Sequence, residues 1–591
     1  MYPGTDKQGN ACANHNGALY SCDVPTISPR MTFDERIRVS PMGGVGEVGK
    51  NSTLIEFGGD IVIVDAGVKF PETELHGVDL VVCDYAYIAA RLDSLLGILF
   101  THGHEDHIGG LPYLIMQLDP HDPIPIYGTP LTLGLISVKL KEHGMLGRVI
   151  QYAIREGLHT QLGPFNIEPI AVNHSIPDAV GLVIRTPAGV LFHTGDFKFD
   201  PTPVEGKTTD NERLRALGEE GVLVLLSDCV RVEQPGWTAS EAGVREELEV
   251  LIGNAPGRVL VTTFASNIGR LREVVRSAHK LGRKTAVVGR SMEQNLKVAG
   301  ELGFMNIPDG SLVELREINS LPPEKIVLLS TGSQGEPTSV LSRIARGDHP
   351  LVKIQDDDTV IFSASPVPGN EESVARSIDN LFRRGARVVY QAIDPHVHCS
   401  GHASREELRH LLDLVHPRYL VPLHGEHRML WLYRELAVES GMPHESVFLT
   451  EIGDVVAFGQ DGARREDPIQ SGSVLVDGLT IGEVTNVVLR DRRRLAADGV
   501  LFVSVTLDRE TGELLSGPDF VSRGFLQADS TDAEGGLFEE ARERVTVALA
   551  GDDQHQPDVG YLVGKVRDTL NSLVYERTRR RPMILPVITE V

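Results

Sequence analysis

The chain has 591 residues, 41% of them hydrophobic, and a formal charge of −25, which makes it too long for one core and suggests roughly three or four domains. No apolar run approaches the ~20 residues of a membrane span, and the five scattered cysteines (Cys12, Cys22, Cys83, Cys229, Cys399) make no disulfide framework, so a reducing cytoplasm is expected. The charge alone argues against nucleic acid, although a cleft that holds metal ions is locally positive whatever the net charge. Residues 1–36 are polar and lack an apolar targeting core, so a disordered extension is expected there, not a signal peptide. From Ile37 to about Trp237 short apolar strands alternate with turns, among them Ser52–Phe57, Ile61–Asp65, Leu95–Phe100, Val180–Arg185 and Val190–His193. Gly44-Val-Gly-Glu-Val-Gly49 matches a dinucleotide-binding pattern, but Lys50–Phe57 continues as a strand and not a helix, which favours a glycine-rich turn.

Near Ser240 the pattern becomes regular β-α alternation. A helix to about Ile252 precedes strand Val259–Phe264 and a helix from Asn267. Strand Thr285–Val288 with a helix from Ser291 follows, then strand Ile326–Ser330 with a helix from Glu336. The block closes with strand Thr359–Ser363, helix Glu371–Arg383 and strand Ala386–Gln391. Such alternation predicts a doubly wound parallel sheet. After a linker at 466–482, residues 483–591 read as a small α+β domain. It has a hairpin around Glu510–Glu513, helices near Leu537–Leu549 and Val559–Tyr575, and a last strand Met583–Val587. The basic clusters Arg490–Arg494 and Arg577–Arg581 can serve RNA, though most such runs are solvated faces or subunit contacts.

The chemistry concentrates in Thr101-His-Gly-His-Glu-Asp-His107, directly after the Leu95–Phe100 run. Along an extended backbone His102 and His104 point the same way, while Asp106 and His107 can turn toward a neighbouring position. One loop can therefore feed two adjacent metal ions. Imidazole and carboxylate without thiolate fit a hydrolytic Zn²⁺ pair, or Mn²⁺ as the second choice, and not a closed structural zinc.

This motif after a strand resembles the metallo-β-lactamase superfamily. The resemblance implies further ligands from separate loops, and His174, Asp196 and His424 follow in order, each behind an apolar run. It also implies an αββα sandwich over 37–237 and 393–465, with the β-α block 238–392 inserted, an arrangement similar to the β-CASP nucleases. Within that branch the chain resembles the ribonuclease J family. The carrying motifs are Pro41–Asn51, Thr262–Ser266, Thr331–Pro337, Ser400-Gly-His-Ala403 and His424-Gly-Glu426. Where the family has Ser-Asp-Ser-Thr-Asn, this chain has Ser227-Asp-Cys-Val-Arg231.

The resemblance assigns His102, His104 and His174 to one metal and Asp106, His107 and His424 to the other, with Asp196 bridging and Asp228 orienting histidines. Ser400 and His402 would bind a substrate phosphate, and His402 or its competitor His398 would protonate the leaving 3′-oxygen. Gly332, Ser333 and Gln334 lie between a strand and a helix, where backbone N–H groups can cradle a phosphate. With Ser400 and His402 they suggest a pocket for a 5′-monophosphate. Phe70 can stack on a base.

The implied activity is two-metal hydrolysis of single-stranded RNA, 5′→3′ from monophosphorylated ends with internal cuts as well, in mRNA decay and rRNA maturation. The implied assembly is a homodimer or homotetramer, with partners such as helicases and no membrane. The alternatives are a β-CASP DNA nuclease, an RNA 3′-end-processing endonuclease, a thioester or lactam hydrolase, and a non-catalytic RNA-binding scaffold.

Overall fold

Strand Leu95–Leu99 fixes the geometry of the first sheet, because its apolar side chains require cover on both faces. A computed structural model describes residues 35–72, 75–204, 207–367, 369–478, 480–525, 535–550 and 558–591, with the short strands Cys12–Ala13 and Leu19–Tyr20. Nearly all of the expected N-terminal extension lies outside the described residues. The chain divides into two compact units, residues 1–70 with 81–474, and 71–80 with 475–591.

In the first unit, one sheet orders its strands as Gly462–Glu466, Val455–Gly459, Ile37–Gly43, Ser52–Phe57, Asp60–Val64, Leu95–Leu99, Ile124–Gly128 and Val149–Ala153. The last four run parallel, and Asp60–Val64 is buried throughout, as a strand covered on both faces must be. Helix Leu111–Leu118 buries Leu111, Leu114, Ile115 and Leu118 in the core these strands share, and helix Pro130–Glu142 is buried all round through residues 131–136.

The second sheet runs Thr160–Leu162, Phe165–Ala171, Val180–Thr186, Gly189–His193, Val222–Asp228 and Tyr419–Leu423. The last three strands are parallel neighbours. Their C-terminal ends therefore open on one edge, which carries Asp228 as the last residue of its strand and Asp196 and His424 just beyond theirs. The chain leaves this sheet at Asp228 and returns only at Tyr419 to lie beside the strand it left. The inserted β-α block lies between these two strands, so Asp228 and His424 come together although far apart in sequence.

The inserted sheet is wholly parallel, in the order Lys284–Val288, Ile326–Ser330, Val259–Thr262, Thr359–Phe362 and Arg387–Val389. Ser240 and Asn267 cap the helices Glu241–Asn254 and Ile268–Lys280 by accepting from Ala242 and Arg270 backbone N–H groups. The helix expected from Glu336 instead spans Val340–Arg346. Pro337 disfavours helical backbone at Glu336, and Ser339 becomes the residue before the first turn. The strands expected at Val259–Phe264 and Ala386–Gln391 are shorter, ending at Thr262 and Val389.

In the second unit, hairpin strands Val500–Leu507 and Leu514–Arg523 are joined by Met583–Glu590, which pairs parallel to the first. Helices Gly535–Ala550 and Val559–Thr578 close a core that includes Leu501, Val503, Val545, Val566 and Leu570. Helix Asn486–Asp498 is an element that sequence reading did not anticipate. Its one buried side chain, Leu489, leaves no apolar stripe to read. The expected linker at 466–482 contains strands Ser473–Asp477 and Thr480–Ile481, since the Val474–Val476 run buries Val476.

Candidate metal centre and active site

The Leu95–Leu99 strand delivers Thr101–His107 into a frame of backbone bonds. Asn51 N–H donates to the Asp106 carbonyl at 2.9 Å and Ala66 N–H to the His107 carbonyl at 2.8 Å, while Gly110 N–H donates to the Ala66 carbonyl at 2.8 Å. A Cβ on Gly67 would lie 1.7 Å from the Asp106 carbonyl oxygen, so only glycine lets the two loops touch.

Two groups of four donor atoms result, His102, His104, His174 with Asp196, and Asp106, His107, His424 with Asp196. These are the two sets that the resemblance implied. A third group joins Asp196, Asp228, His402 and His424.

The hydrogen bonds on the outer ring nitrogens fix which atoms face inward. Thr101 Oγ1 donates to Asp65 Oδ2 at 2.8 Å and so accepts from His102 Nδ1 at 3.0 Å. His174 Nδ1 donates to the Gly401 carbonyl at 2.8 Å, and His107 Nδ1 to Asp65 Oδ2 at 2.8 Å. The Nε2 lone pairs of His102, His107 and His174 are thereby turned into the site. His104 Nδ1 lies 3.2 Å from His102 Nε2 and 3.0 Å from His174 Nε2.

Burial, followed by the neighbouring imidazoles, holds His102 and His174 well below the usual range, and burial brings His104 down to about 4. The three rings therefore bring His102 Nε2, His104 Nδ1 and His174 Nε2 together at one point, an arrangement that a cation at their centre satisfies. The donor set fits a divalent metal.

The second group is more acidic. Burial opposes a charge on His107 and His424, but Asp196 and the other nearby carboxylates outweigh it. His107 stands well above its ordinary value and His424 at about 9. Burial likewise pulls Asp196 upward, and the imidazoles of His107, His424 and His402 hold it well below the carboxylate range. This nest takes up positive charge either as protons or as a metal ion. His424 sits at φ 49° and Asp65 at φ 62°, left-handed backbone at the ends of two strands, of the kind that gathers at functional sites.

Asp228 accepts from His402 Nδ1 at 2.7 Å, so its imidazole contact is with His402 and not with His102, His104 or His107. His402 N–H donates to Ser400 Oγ at 3.2 Å. A Cβ on Gly401 would come within 2.6 Å of the His174 ring, which accounts for glycine between Ser400 and His402. His398 accepts at Nδ1 from Arg270 at 2.6 Å.

In the Thr331–Gly335 loop Ser333 and Gln334 are buried. The Gln334 amide donates to the Ser365 carbonyl at 2.9 Å and accepts from Val367 N–H at 2.7 Å. Its side chain is thus committed to the neighbouring loop, and a helix that begins only at Val340 leaves the loop without the expected helix N-terminus. Phe70 is 46% exposed.

The departure at 227–231 is filled by Cys229, buried with its thiol toward the Leu423 carbonyl at 3.2 Å, and by Arg231, whose Nε donates to Ser404 Oγ at 3.1 Å. The basic clusters are partly engaged within the second unit. Arg492 pairs with Asp477, Arg494 donates to the Arg581 carbonyl and Arg577 pairs with Glu540.

Sequence reading missed Asp65, Thr101 and Asn51, whose amide lies 3.0 Å from His107 Nε2. The signal for Asp65 was present, because Asp60–Val64 is an apolar run ending on an acid just as Leu95–Leu99 ends near His102.

The two-sheet frame, the inserted parallel sheet and the strand-end His/Asp clusters define a metal-dependent hydrolase of the metallo-β-lactamase fold with a β-CASP insert. Residues 45–290 match the metallo-β-lactamase superfamily, 256–381 the ribonuclease J β-CASP domain, 385–448 the Zn-dependent metallo-hydrolase RNA specificity domain and 487–591 the ribonuclease J C-terminal domain. Ribonuclease J 1 of Streptococcus pyogenes is 42% identical, over 93% of this chain and 97% of its own length. Ribonuclease J2 of Bacillus subtilis is 39% identical over 94% and 99%, and ribonuclease J of Thermus thermophilus 40% over 94% and 96%.

The chain belongs to the ribonuclease J family. It is a metal-dependent ribonuclease, and the DNA-nuclease, 3′-end-processing, lactam-hydrolase and scaffold alternatives fall away. Among the described residues no helix is long and apolar enough to cross a membrane.

Proposed function

We propose that this ribonuclease degrades single-stranded RNA 5′→3′ from monophosphorylated ends and also cuts internally, in mRNA decay and rRNA maturation. The observation that carries the catalytic reading is that two four-donor groups share Asp196. His102, His104 and His174 would hold one divalent ion and Asp106, His107 and His424 the other, with Zn²⁺ the first choice and Mn²⁺ the second. When bound, such a pair supplies Lewis-acid polarisation of the phosphoryl group and of the attacking water.

The chain's own residues do the rest. Asp196 keeps the two groups in register. Asp228 fixes the Nδ1–H and the orientation of His402, leaving Nε2 as the atom that gives its proton to the departing 3′-oxygen. Ser400, two residues before His402, binds a phosphoryl oxygen. The backbone of Gly332 and Ser333 contributes to a 5′-phosphate pocket, with Gln334 bracing the loop from behind. Phe70, 46% exposed, stacks on a base. The C-terminal domain joins chains into a homodimer or homotetramer, and RNA-decay partners such as helicases act with the enzyme in the cytoplasm.

The test is product analysis on 5′-labelled RNA with Zn²⁺, Mn²⁺ and Mg²⁺ supplied separately. Mononucleotides from a 5′-monophosphate substrate and slower decay of the 5′-triphosphate form are expected. Equal rates on the two ends would remove the pocket from the reading. Asp106→Ala and Asp196→Ala should each abolish hydrolysis with the fold intact, and full activity in either would overturn the ligand assignment.

A further inference from the structure

Behind the Pro395–Ser404 loop lies a buried polar network that the reaction, as described so far, does not use. Arg270, on helix Ile268–Lys280, is among the most deeply buried side chains in the molecule. Its Nη2 pairs with Glu241 at the start of helix Glu241–Asn254. Its Nη1 donates to the Ser363 carbonyl at 2.9 Å and to His398 Nδ1 at 2.6 Å. The thiol of Cys399 adds a contact to Glu241 at 3.2 Å, and Ser363 Oγ donates to the Val397 carbonyl at 2.7 Å. With Arg270 Nη2 donating to the Cys399 carbonyl at 3.4 Å, the backbone on both sides of His398 is held by residues of the inserted domain.

A guanidinium has five donors, no acceptor and a permanent charge. His398 Nδ1 must therefore be the acceptor, which leaves a neutral ring its only proton on Nε2. A second proton at Nδ1 would have to displace the Arg270 bond and set two cations against each other in a buried place. The other charged groups that face His398 act in the same direction. Lys198, after strand Gly189–His193, and Arg231, after strand Val222–Asp228, oppose a charge on the ring, and only Glu241 favours one. Burial, followed by these cations, takes the ring down to about 3. Nε2 has no protein partner among the described residues, although the residue is partly open to solvent.

We propose that Arg270 is a positioning residue that locks His398 as the neutral tautomer protonated on Nε2, so that His398 donates a hydrogen bond to a substrate phosphoryl oxygen and is not the proton donor. Three cations against one carboxylate around the ring suit an anion at that atom. The proposal rests on the ribonuclease reading for the identity of that anion, and it leaves the proton-donor role to His402. It also gives the inserted domain a direct part in the chemistry, because a residue of its second helix sets the hydrogen of a histidine in the loop that follows the insert.

The test reads the tautomer itself. In ¹⁵N-histidine-labelled protein, with the His398 signal assigned through its loss in His398→Gln, the neutral Nε2–H pattern should persist unchanged from about pH 5 to 8, where an ordinary histidine titrates. In Arg270→Gln with Glu241→Gln, which removes the buried charge pair as a unit, burial still keeps the ring neutral, but the Nδ1–H tautomer should now appear beside the Nε2–H form. On a 5′-monophosphorylated single-stranded RNA that double variant should raise KM by roughly tenfold with kcat little changed, as loss of one oriented bond to a charged group does. His398→Gln, which keeps an amide donor near the place of Nε2, should raise KM by up to roughly tenfold and leave the alkaline limb of the pH–rate profile in place.

An Nδ1–H or doubly protonated His398 at pH 6 in the unaltered protein would overturn the proposal. So would a His398→Gln enzyme that loses both kcat and the alkaline limb. The spectrum needs no turnover, so a protein that failed to cut RNA would defeat the ribonuclease reading while leaving the tautomer question separately answered.

Discussion

Asp65 shows how one carboxylate can organise a metal loop without touching the metal. One oxygen takes both the His107 Nδ1–H and the Thr101 hydroxyl, and the other takes the Thr101 N–H at 2.8 Å. Through Thr101 it also fixes His102, so one residue orients an inward-facing nitrogen in each four-donor group. Asp65→Ala should weaken divalent-metal affinity by about 10- to 100-fold while the fold survives. Competition with a fluorescent chelator measures this directly, and an unchanged affinity would show that the histidines hold their orientation alone. The inward-facing side chains themselves were legible in sequence, four of them from their clustering in Thr101–His107 and His174, Asp196 and His424 because each follows an apolar run. Asp65 also ends an apolar run and was legible as a candidate, but its role was not, because a bond to the far side of an imidazole has no sequence period and depends on two strands being neighbours.

Helix Arg405–Val415 carries the loop that ends in His402, and Glu407 ties that helix to its surroundings. Ser404 and Glu407 form a capping box, but the carboxylate does more than cap. Oε2 accepts from Ser404 N–H at 2.8 Å and Thr238 N–H at 2.7 Å, and Oε1 from Phe199 N–H at 2.7 Å. Three loops meet on one fully buried side chain. Glu407→Ala leaves those donors without a partner and should destabilise the first unit by about 3 kcal/mol or more, since each orphaned buried donor costs about 1–3 kcal/mol. Chemical denaturation gives that figure. A loss of kcat beyond the loss of folded protein would show that the His402 loop had shifted, whereas a loss below ~1 kcal/mol would mean that water replaces the carboxylate. At this scale the sequence reads unevenly. Regular β-α alternation predicted the inserted sheet almost strand for strand. The Glu336 helix was misplaced because Pro337 and Ser339 outweigh a general expectation of alternation. Helix Asn486–Asp498 was invisible because it buries almost nothing.

Across the whole molecule, residues from 102 to 424 converge on one pair of donor groups, so metal binding is linked to the folding of the first unit. The second unit keeps its own core, built on residues such as Leu501, Val566 and Leu570, and such a protein unfolds in more than one step. A ligand bound only by the folded form stabilises it by about 2.7 kcal/mol when free at 100 times its dissociation constant. Adding a chelator should therefore lower the unfolding temperature of the first unit, increasingly as free metal falls, and leave the transition of the second in place. Asp196→Ala, which removes the one carboxylate common to both groups, should abolish most of that shift without chelator present. Differential scanning calorimetry with and without added Zn²⁺ resolves the transitions. If both moved together, metal binding would not be confined to the first unit. If neither moved, the unit would hold its converging imidazoles in place through the hydrogen bonds on and between the rings, and metal binding would not be linked to its folding.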